Sequence, residues 1–294
     1  MQVLTTDEDF RAAKARLPGS WGFVPTMGYL HEGHLSLVRR ARVENDRVAV
    51  SIFVNPTQFS PAEDFAAYPR DLERDRELLE LPGVDLIFHP TPDVMYPPGF
   101  QTYLTVAEVT KTLEGAARPG HFRGVATVVA KLFNIVQAER AYFGQKDAQQ
   151  VVVIKRMVAD LAVPTRIVVC PTLREPDGLA MSSRNTYLDP AQRTAAAVLY
   201  RALTTAKDRY DAGERDAEAL RDAMRYTLAQ EPLAKVEYVS AADPTTLLEL
   251  DHVEDRVLLS MAVRIGRTRL IDNFLLENNE WMIGESVSQR ISQP

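Results

Sequence analysis

The first part of the chain alternates short apolar runs with stretches of helical spacing. The apolar runs typical of buried strands lie at 22–25, 47–54, 84–88, 140–143 and 166–169, and the helical stretches at 35–42, 70–80, 124–138 and 147–161. Strands that alternate with helices in this way predict a parallel sheet with helices on both faces. We therefore expect an α/β fold for this part of the chain.

The pattern changes after about residue 176. The second part predicts two helices within 190–230, divided near 211–213, then a strand at 235–240 and a hairpin of 256–264 with 268–274 around Gly266. This α+β pattern favours a second, smaller domain, with a hinge region at Asp177 and Gly178. We place the two domains at 1–176 and 177–294.

Composition narrows the possible classes of function. The chain has 294 residues and a net charge of −6, which disfavours nucleic-acid binding through a basic surface. Its one cysteine, Cys170, allows no disulfide within the chain, which is typical of a reducing compartment. The acidic N-terminus lacks the apolar run of a signal peptide, and no apolar run approaches the roughly 18 residues that span a membrane. We expect a cytoplasmic protein with no nucleic-acid or membrane partner.

Polar clusters follow the predicted strands at four places. They lie at 26–34, 55–59, 144–147 and 172–184. In open parallel sheets, ligands bind beyond the carboxyl ends of the strands. Because all four clusters would meet at that edge of the sheet, we predict a ligand site there.

Two histidines three residues apart stand at the predicted start of a helix. His31 and His34 would share one helix face, and Gly28 and Gly33 would let a ligand approach the backbone. A helix start presents free N–H groups and a positive dipole end, which suits a phosphate. The alternative is that these histidines only cap the helix. Zinc ligation is disfavoured, because the metalloprotease pattern needs an i, i+4 spacing.

Two cations further along the chain could complete a phosphate site. Lys146 follows a predicted strand, and Arg184 follows Ser182 and Ser183. No Walker-type phosphate loop is present, and each residue alone could be an ordinary surface or turn residue. ATP carries about four negative charges, and the two cations with one Mg²⁺ would supply about four positive charges. Together they suggest a clamp around a nucleotide triphosphate.

Several motifs together carry a resemblance to a known family. They are Pro25–His34 (PTMGYLHEGH), Phe53–Phe59 (FVNPTQF), Tyr68–Arg70 (YPR), Arg118–Gly124 (RPGHFRG), Phe143–Asp147 (FGQKD) and Gly178–Asn185 (GLAMSSRN). In this order and spacing, over most of the first 190 residues, the sequence resembles the pantothenate synthetase (pantoate–β-alanine ligase) family.

The resemblance implies a fold and a reaction. Members of this family are nucleotidyltransferases with a Rossmann-like first domain, a mobile second domain and a homodimeric assembly. Pantoate attacks the α-phosphate of ATP, which gives pantoyl adenylate and pyrophosphate. The amine of β-alanine then attacks the acyl carbon, which gives pantothenate and AMP. The cofactors implied are ATP, as a substrate, and Mg²⁺.

The resemblance also assigns residues. Those implied to bind ATP are Met27, Gly28, Tyr29, Leu30, His31, Glu32, Gly33, His34, Gly144, Gln145, Lys146, Asp147, Leu173, Met181, Ser182, Ser183 and Arg184. The implied catalytic residues are His34, His31, Lys146 and Arg184. Gln58 and Gln150 would bind pantoate, Gln58 would also bind β-alanine, and Asp75 would assist Mg²⁺. Asn55, Arg118 and His121 would be neighbours of the site.

Three positions depart from the family pattern. Tyr29 stands where Ala is usual, Leu173 stands where Val is common, and Gln145 occupies a variable position. Only Tyr29 is bulky enough to alter the loop. Two other functions stay open at this point. One is a different nucleotidyltransferase, such as a cytidylyltransferase, against which Gln58 and Gln150 argue because they suit a small polyhydroxy acid. The other is a non-catalytic nucleotide sensor, which would tolerate His34→Ala.

Overall fold

The computed structural model describes residues 1–61 and 63–287 of the chain. The chain divides into two compact units, of which the first comprises Met1–Thr110, Arg118–Gly144 and Gln150–Cys170, and the second Lys111–Ala117, Gln145–Gln149 and Pro171–Pro294. These units differ from the predicted domains 1–176 and 177–294 at residues 111–117, 145–149 and 171–176. Residues 288–294 of the predicted second domain lie outside the described residues. Whether the units act as independent domains stays a prediction.

The first unit is built on a parallel sheet. Its strands are β1 (Gln2–Leu4), β2 (Trp21–Thr26), β3 (Arg47–Ile52), β4 (Leu86–Phe88), β5 (Arg140–Gly144) and β6 (Arg166–Cys170). The strand order is β1-β4-β3-β2-β5-β6, and every pairing is parallel. The helices are α1 (Asp7–Ala15), α2 (Glu32–Glu44), α3 (Leu72–Glu80), α4 (Pro92–Met95), α6 (His121–Val136) and α7, which runs from Ala148 of the second unit to Asp160. The predicted α/β fold is confirmed.

Neighbouring strand residues pack on opposite faces of this sheet. Val24 of β2 belongs to an apolar cluster that contains residues of α2 and α3, such as Val38 and Leu79. Phe23, next to Val24, instead packs edge-on against Phe133 of α6. Side chains alternate across a strand, so α2 and α3 cover one face and α6 the other. This explains why the strands are apolar on both faces, as the sequence pattern predicted.

The second unit combines helices with antiparallel strands. It contains α5 (Leu113–Ala117), α8 (Pro190–Ala196), α9 (Val198–Asp211), α10 (Ala217–Ala229), β7 (Leu173–Arg174), β8 (Ala234–Ala242), β9 (Val257–Ile265), β10 (Thr268–Glu277), β11 (Glu280–Met282) and β12 (Glu285–Ser286). Four of the strands form a sheet in the order β11-β10-β9-β8, and β7 pairs with β12. The predicted hairpin around Gly266 is confirmed as β9 and β10.

The prediction of two helices within residues 190–230 is wrong, because three are present there. The helical path breaks at Ala197, between α8 and α9. The sequence there is Thr-Ala-Ala-Ala-Val, which has neither glycine nor proline to mark a helix end. The break therefore left no trace in the pattern that we used.

A buried ion pair joins β7 to β10 in the second unit. Arg174 makes two parallel hydrogen bonds to Asp272, at 2.7 and 2.9 Å, and the two side chains are 4% and 1% exposed. The guanidinium also lies over the rings of Tyr200 and Phe274 and donates to the carbonyl of Gly178. Such a pair is well satisfied as built, but either charge would be costly if it were left alone.

We expect Asp272→Ala to lower the free energy of unfolding of the second unit by about 3 kcal/mol or more, because it leaves the Arg174 charge buried and unpaired. Urea unfolding followed by tryptophan fluorescence in a Trp21→Phe background reports on Trp281, which lies in this unit. The matched control is Asp222→Ala, which breaks an exposed ion pair with Arg225 in α10. Equal effects of the two substitutions would contradict the prediction.

Candidate active site

The turn between β2 and α2 has an unusual backbone. Gly28 and Tyr29 both have positive φ values, of 82° and 51°. A Cβ on Gly28 would stand 2.9 Å from a methyl carbon of Ile52 and 3.0 Å from a carboxylate oxygen of Asp75. Position 28 therefore needs glycine for both its conformation and its space. The N–H of Gly28 donates to Oγ1 of Thr26, at 3.2 Å.

The two predicted catalytic histidines cap the start of α2. The N–H of Gly33 donates to Nδ1 of His31 at 3.1 Å, and the N–H of His31 donates to Nδ1 of His34 at 3.3 Å. The ring centroids are 4.1 Å apart. Because both Nδ1 atoms accept a hydrogen bond, the proton of each neutral ring is assigned to Nε2. Each neutral ring then carries its N–H donor at Nε2.

This geometry corrects one expectation from the sequence. We expected the start of α2 to present free backbone N–H groups, but those of His31 and Gly33 already donate to the imidazoles. Capping of α2 therefore engages Nδ1 of both histidines.

Asp75 lies beneath the same turn rather than on an open surface. One of its carboxylate oxygens accepts from the N–H of Tyr29 and the other from the N–H of Leu30, each at 2.7 Å. Burial raises the pKa of Asp75, and the two backbone donors oppose that shift. Arg74, the preceding residue, lies over the ring of Tyr29, with the guanidinium carbon 4.9 Å from the centroid. The bulky residue at position 29 is thus accommodated by a cation–π contact.

Gln58 lies in a short 3₁₀ helix, Pro56–Gln58, that follows β3. Its side-chain oxygen accepts from Nδ2 of Asn55 at 3.0 Å, and its Nε2 lies 3.2 Å from the sulfur of Met27. The amide of Asn55 is itself fixed, because its oxygen accepts from the hydroxyls of Tyr96 at 2.7 Å and Thr57 at 2.9 Å. Burial raises the pKa of Tyr96, so its hydroxyl keeps its proton and donates. Gln58 is therefore held with its NH₂ group as the available donor side.

The 3₁₀ helix packs closely on α6. A Cβ on Gly124 would stand 2.4 Å from the carbonyl oxygen of Thr57 and 2.7 Å from Cα of Gln58. The ring of His121 donates from Nδ1 to the carbonyl of Gln58 at 2.8 Å, because a carbonyl can only accept. Nε2 of His121 then accepts from Arg118 at 3.1 Å. Asn55, Arg118 and His121, which we predicted as neighbours of the site, all belong to this network.

Lys146 lies in a 3₁₀ turn of the second unit, Gln145–Asp147. Its Nζ is 3.8 Å from a carboxylate oxygen of Asp147, and its side chain is 21% exposed. Asn273 of β10 holds this turn, because its NH₂ group donates to the carbonyls of Gln145 at 3.1 Å and Lys146 at 2.9 Å. The lysine is therefore presented by a fixed backbone rather than by a loose loop.

The residues predicted to bind ATP at 173 and 181–184 lie in a second segment that is held by hydrogen bonds. Leu173 is buried in β7, and its carbonyl accepts from the N–H of Met181 at 2.9 Å. Oγ of Ser182 caps the 3₁₀ helix Ser183–Tyr187 by accepting from the N–H of Arg184 at 3.3 Å. Both this 3₁₀ helix and the turn that carries Lys146 contact β10. Strand β10 therefore contacts both segments, although they are far apart in the sequence.

Two residues predicted to bind substrates, Gly144 and Gln150, lie at the ends of sequence segments that belong to the first unit. Gly144 ends β5, and a Cβ there would meet no atom of the described residues within 4 Å. Gln150 lies in the first half of α7 and is partly exposed.

Within residues 1–61 and 63–287, no group of three or more His, Cys, Asp or Glu side chains could hold a metal ion. In that same part of the chain, no helix is both long and apolar enough to span a membrane.

Several residues of this arrangement were assigned no role by the sequence analysis. Tyr96 and Thr57 fix Asn55, Gly124 makes room for the 3₁₀ helix, and Asn273 holds the turn at Lys146. Only Gly124 could have been noticed, as a glycine early in a long apolar helix. Tyr96 and Asn273 act through contacts between distant parts of the chain, whereas Thr57 contacts Asn55 two residues away.

The chain is similar to known proteins over nearly its whole length. A family model described as pantoate-beta-alanine ligase matches residues 2–275. The chain belongs to the pantoate–β-alanine ligase family. A pantothenate synthetase from Roseiflexus castenholzii is 63% identical over 277 residues, which cover 94% of this chain and 100% of the relative. One from Chloroflexus aurantiacus is 64% identical over 278 residues, which cover 94% of this chain and 99% of the relative.

Solved structures agree with this membership of the pantoate–β-alanine ligase family. A pantothenate synthetase from Thermus thermophilus superposes with a TM-score of 0.90 at 50% identity, over 93% of this chain and 98% of that one. A pantoate–β-alanine ligase from Francisella tularensis, solved with beta-gamma ATP and β-alanine, gives 0.77 at 38% identity, over 94% and 97%. The resemblance and the prediction of an enzyme, a pantoate–β-alanine ligase, are confirmed. The roles of the individual site residues stay predictions.

We expect Gly124→Ala to lower the free energy of unfolding of the first unit by about 1–3 kcal/mol, because the added methyl group collides with backbone atoms of the 3₁₀ helix. That loss exceeds the gain of about 0.5–1 kcal/mol that alanine brings to a helix interior. The control is Gly144→Ala, where the methyl group has space among the described residues. Differential scanning calorimetry measures both variants, and an unchanged Gly124→Ala protein would contradict the prediction.

Proposed function

We propose that this ligase condenses pantoate with β-alanine through a pantoyl adenylate. A carboxylate oxygen of pantoate forms a bond to the α-phosphorus of ATP, and the bond to the bridging oxygen breaks to release pyrophosphate. The amine of β-alanine then attacks the acyl carbon, loses a proton and displaces AMP. Family membership and the ATP and β-alanine of the Francisella structure support this proposal. The observation that carries it is the histidine pair, whose Nε2 donors suit phosphate oxygens.

The proposed role of the histidines follows from their hydrogen bonds. His34, assisted by His31, donates from Nε2 to phosphate oxygens as negative charge develops on pyrophosphate. A donor that is already oriented before the reaction stabilises this charge without reorganisation. Capping of α2 fixes both rings in the required tautomer. Residues 27–30, 32 and 33 form the rest of this wall of the proposed ATP site.

The proposed role of Lys146 and Arg184 is to supply positive charge to the phosphates of ATP. The proposed neighbours of these two cations in the second unit are Gln145, Asp147, Met181, Ser182 and Ser183, with Leu173 proposed to contact the nucleotide. Gly144, which belongs to the first unit, is also proposed to contact the nucleotide. We propose that ATP enters with Mg²⁺ bound to its phosphates. The two cations and the metal ion then balance the roughly four negative charges of ATP.

Gln58 is proposed to recognise pantoate and then β-alanine. Its NH₂ group, oriented by Asn55, donates to acceptor oxygens of pantoate without neutralising the attacking carboxylate. Gln150 is proposed as the second amide that binds pantoate. Pro25, Met27 and Phe59 are the proposed apolar contacts of the dimethyl carbon of pantoate. Homodimeric assembly and a cytoplasmic location also remain proposals.

The proposed function is tested by incubating purified protein with ATP, Mg²⁺, pantoate and β-alanine and assaying the products by chromatography. We expect AMP, pyrophosphate and pantothenate in equal amounts. Omission of β-alanine should leave an adenylate that hydroxylamine traps. A folded protein that forms neither AMP nor pantothenate would disprove the proposal, and turnover of CTP in place of ATP would favour a cytidylyltransferase.

We expect Lys146→Ala to slow adenylate formation by at least about 100-fold, because one donor to the transition state is lost. Single-turnover kinetics with ATP and pantoate measure this step without the second one. The control is Lys155→Ala, which removes an exposed lysine from α7. A near-normal rate for Lys146→Ala would show that Lys146 is an ordinary surface lysine.

A further inference from the structure

Asp75 is a buried carboxylate at the turn that leads into the proposed ATP site. It is 1% exposed, and it lies 45 residues from Leu30, to whose N–H it is bonded. Each of its two carboxylate oxygens accepts one hydrogen bond at 2.7 Å, one from Tyr29 and one from Leu30. Two adjacent backbone donors are thus paired with the two oxygens of one carboxylate.

The turn needs this acceptor because its own backbone cannot supply one. Gly28 and Tyr29 both have positive φ, so the chain here follows neither β2 nor α2. Leu30 is fully buried, so water cannot replace the carboxylate at its N–H. An unpaired buried N–H costs about 1–3 kcal/mol. Without Asp75, we expect this turn to adopt several conformations.

The turn leads directly into the histidine pair. His31 follows Leu30, and α2 begins at Glu32. The two rings are oriented through backbone N–H groups of residues 31 and 33, so their positions depend on where the turn delivers the chain. A carboxylate that fixes residues 29 and 30 therefore fixes the proposed phosphate donors.

A magnesium ligand would need different surroundings. Mg²⁺ bound with a nucleotide keeps several waters and takes only one or two carboxylates from the protein. Asp75 is covered by the turn, and both of its oxygens are directed to backbone donors. The residues present therefore do not fit the Mg²⁺ role that the family resemblance implied for Asp75.

We propose that Asp75 is a positioning residue of the ATP site, which holds the turn at residues 28–30 so that His31 and His34 meet the phosphates, and that it is not a ligand of Mg²⁺. This proposal rests on the proposed function. The proposed effect of Asp75 on ATP affinity is opposite in sign to the effect of its negative charge. Removal of a negative charge alone would strengthen the binding of an anion, whereas loss of the turn would weaken it.

The experiment compares ATP affinity by isothermal titration calorimetry, in Mg²⁺ and in EDTA. The variant is Asp75→Asn, whose side chain has the same shape. Its NH₂ group would face one of the two backbone N–H groups and cannot accept a hydrogen bond from it. The control is Asp71→Asn, which removes the same charge from the exposed cap of α3 and keeps an acceptor for the N–H of Arg74. We expect Asp75→Asn to weaken ATP binding about 10-fold in both conditions, and Asp71→Asn to leave it within about twofold of the wild type.

A loss of affinity confined to Mg²⁺ would identify Asp75 as a metal ligand and overturn the proposal. Tighter or unchanged binding would overturn it as well.

Hydrogen exchange measured by NMR keeps the proposal testable if Asp75→Asn does not fold. The amides of Tyr29 and Leu30 should exchange slowly in the wild-type protein without ligand, and at least about 10-fold faster in a folded Asp75→Asn variant. Fast exchange in the wild type would overturn the proposal. Wild-type protein that binds no ATP would instead overturn the proposed function, and the exchange rates would still decide whether the carboxylate holds the turn.

Discussion

The first unit depends on one constraint, namely that the parallel strands β2 and β3 end side by side. Thr26 is paired with Ile52 at the last position of both strands, and the N–H of Phe53 donates to the carbonyl of Thr26 at 3.0 Å. The segments that follow the two strands must therefore begin next to each other. The contact between Gln58 and the sulfur of Met27 is a direct result. The sheet thus brings the proposed ATP and pantoate residues of this unit together.

Within the sheet, hydrogen bonds between strands fix the backbone. Beyond the strand ends, hydrogen bonds from polar side chains fix it instead. Asp75 accepts from the turn before α2, Asn55 joins the 3₁₀ helix to α6 and Tyr96, and Asn273 donates to the turn that carries Lys146. In each case one side chain forms hydrogen bonds with a segment that is distant in the sequence. Buried polar groups of this kind specify one conformation when all of them are satisfied. The proposed site residues are therefore presented by fixed loops.

The sequence predicted the parts of the fold that local patterns determine. The strands that became β2, β3 and β5 were found because they are short, apolar and bounded by polar residues, and α2 was found from its spacing. The break at Ala197 was missed because no residue there disfavours a helix. The same limit applies to the site: the histidine pair was visible as a motif, whereas the link from Asp75 to Leu30 spans 45 residues and has no local pattern. Long-range polar contacts are decided by the fold, which the pattern describes only coarsely.

The hydrogen bonds of the β2–α2 turn also bear on how an anion would be recognised. In a helix-start site of the simplest kind, backbone N–H groups bind the phosphate directly. Here the N–H groups of residues 28, 29, 30, 31 and 33 all donate within the protein. Those of His31 and Gly33 orient the two rings, and the Nε2 groups of these rings are the donors that we propose for the phosphates. A side chain can give up a proton during a reaction, and a backbone N–H cannot, so the arrangement favours catalysis over simple binding. On this argument the backbone of the turn sets the geometry, and the imidazoles are the groups proposed to take part in the chemistry.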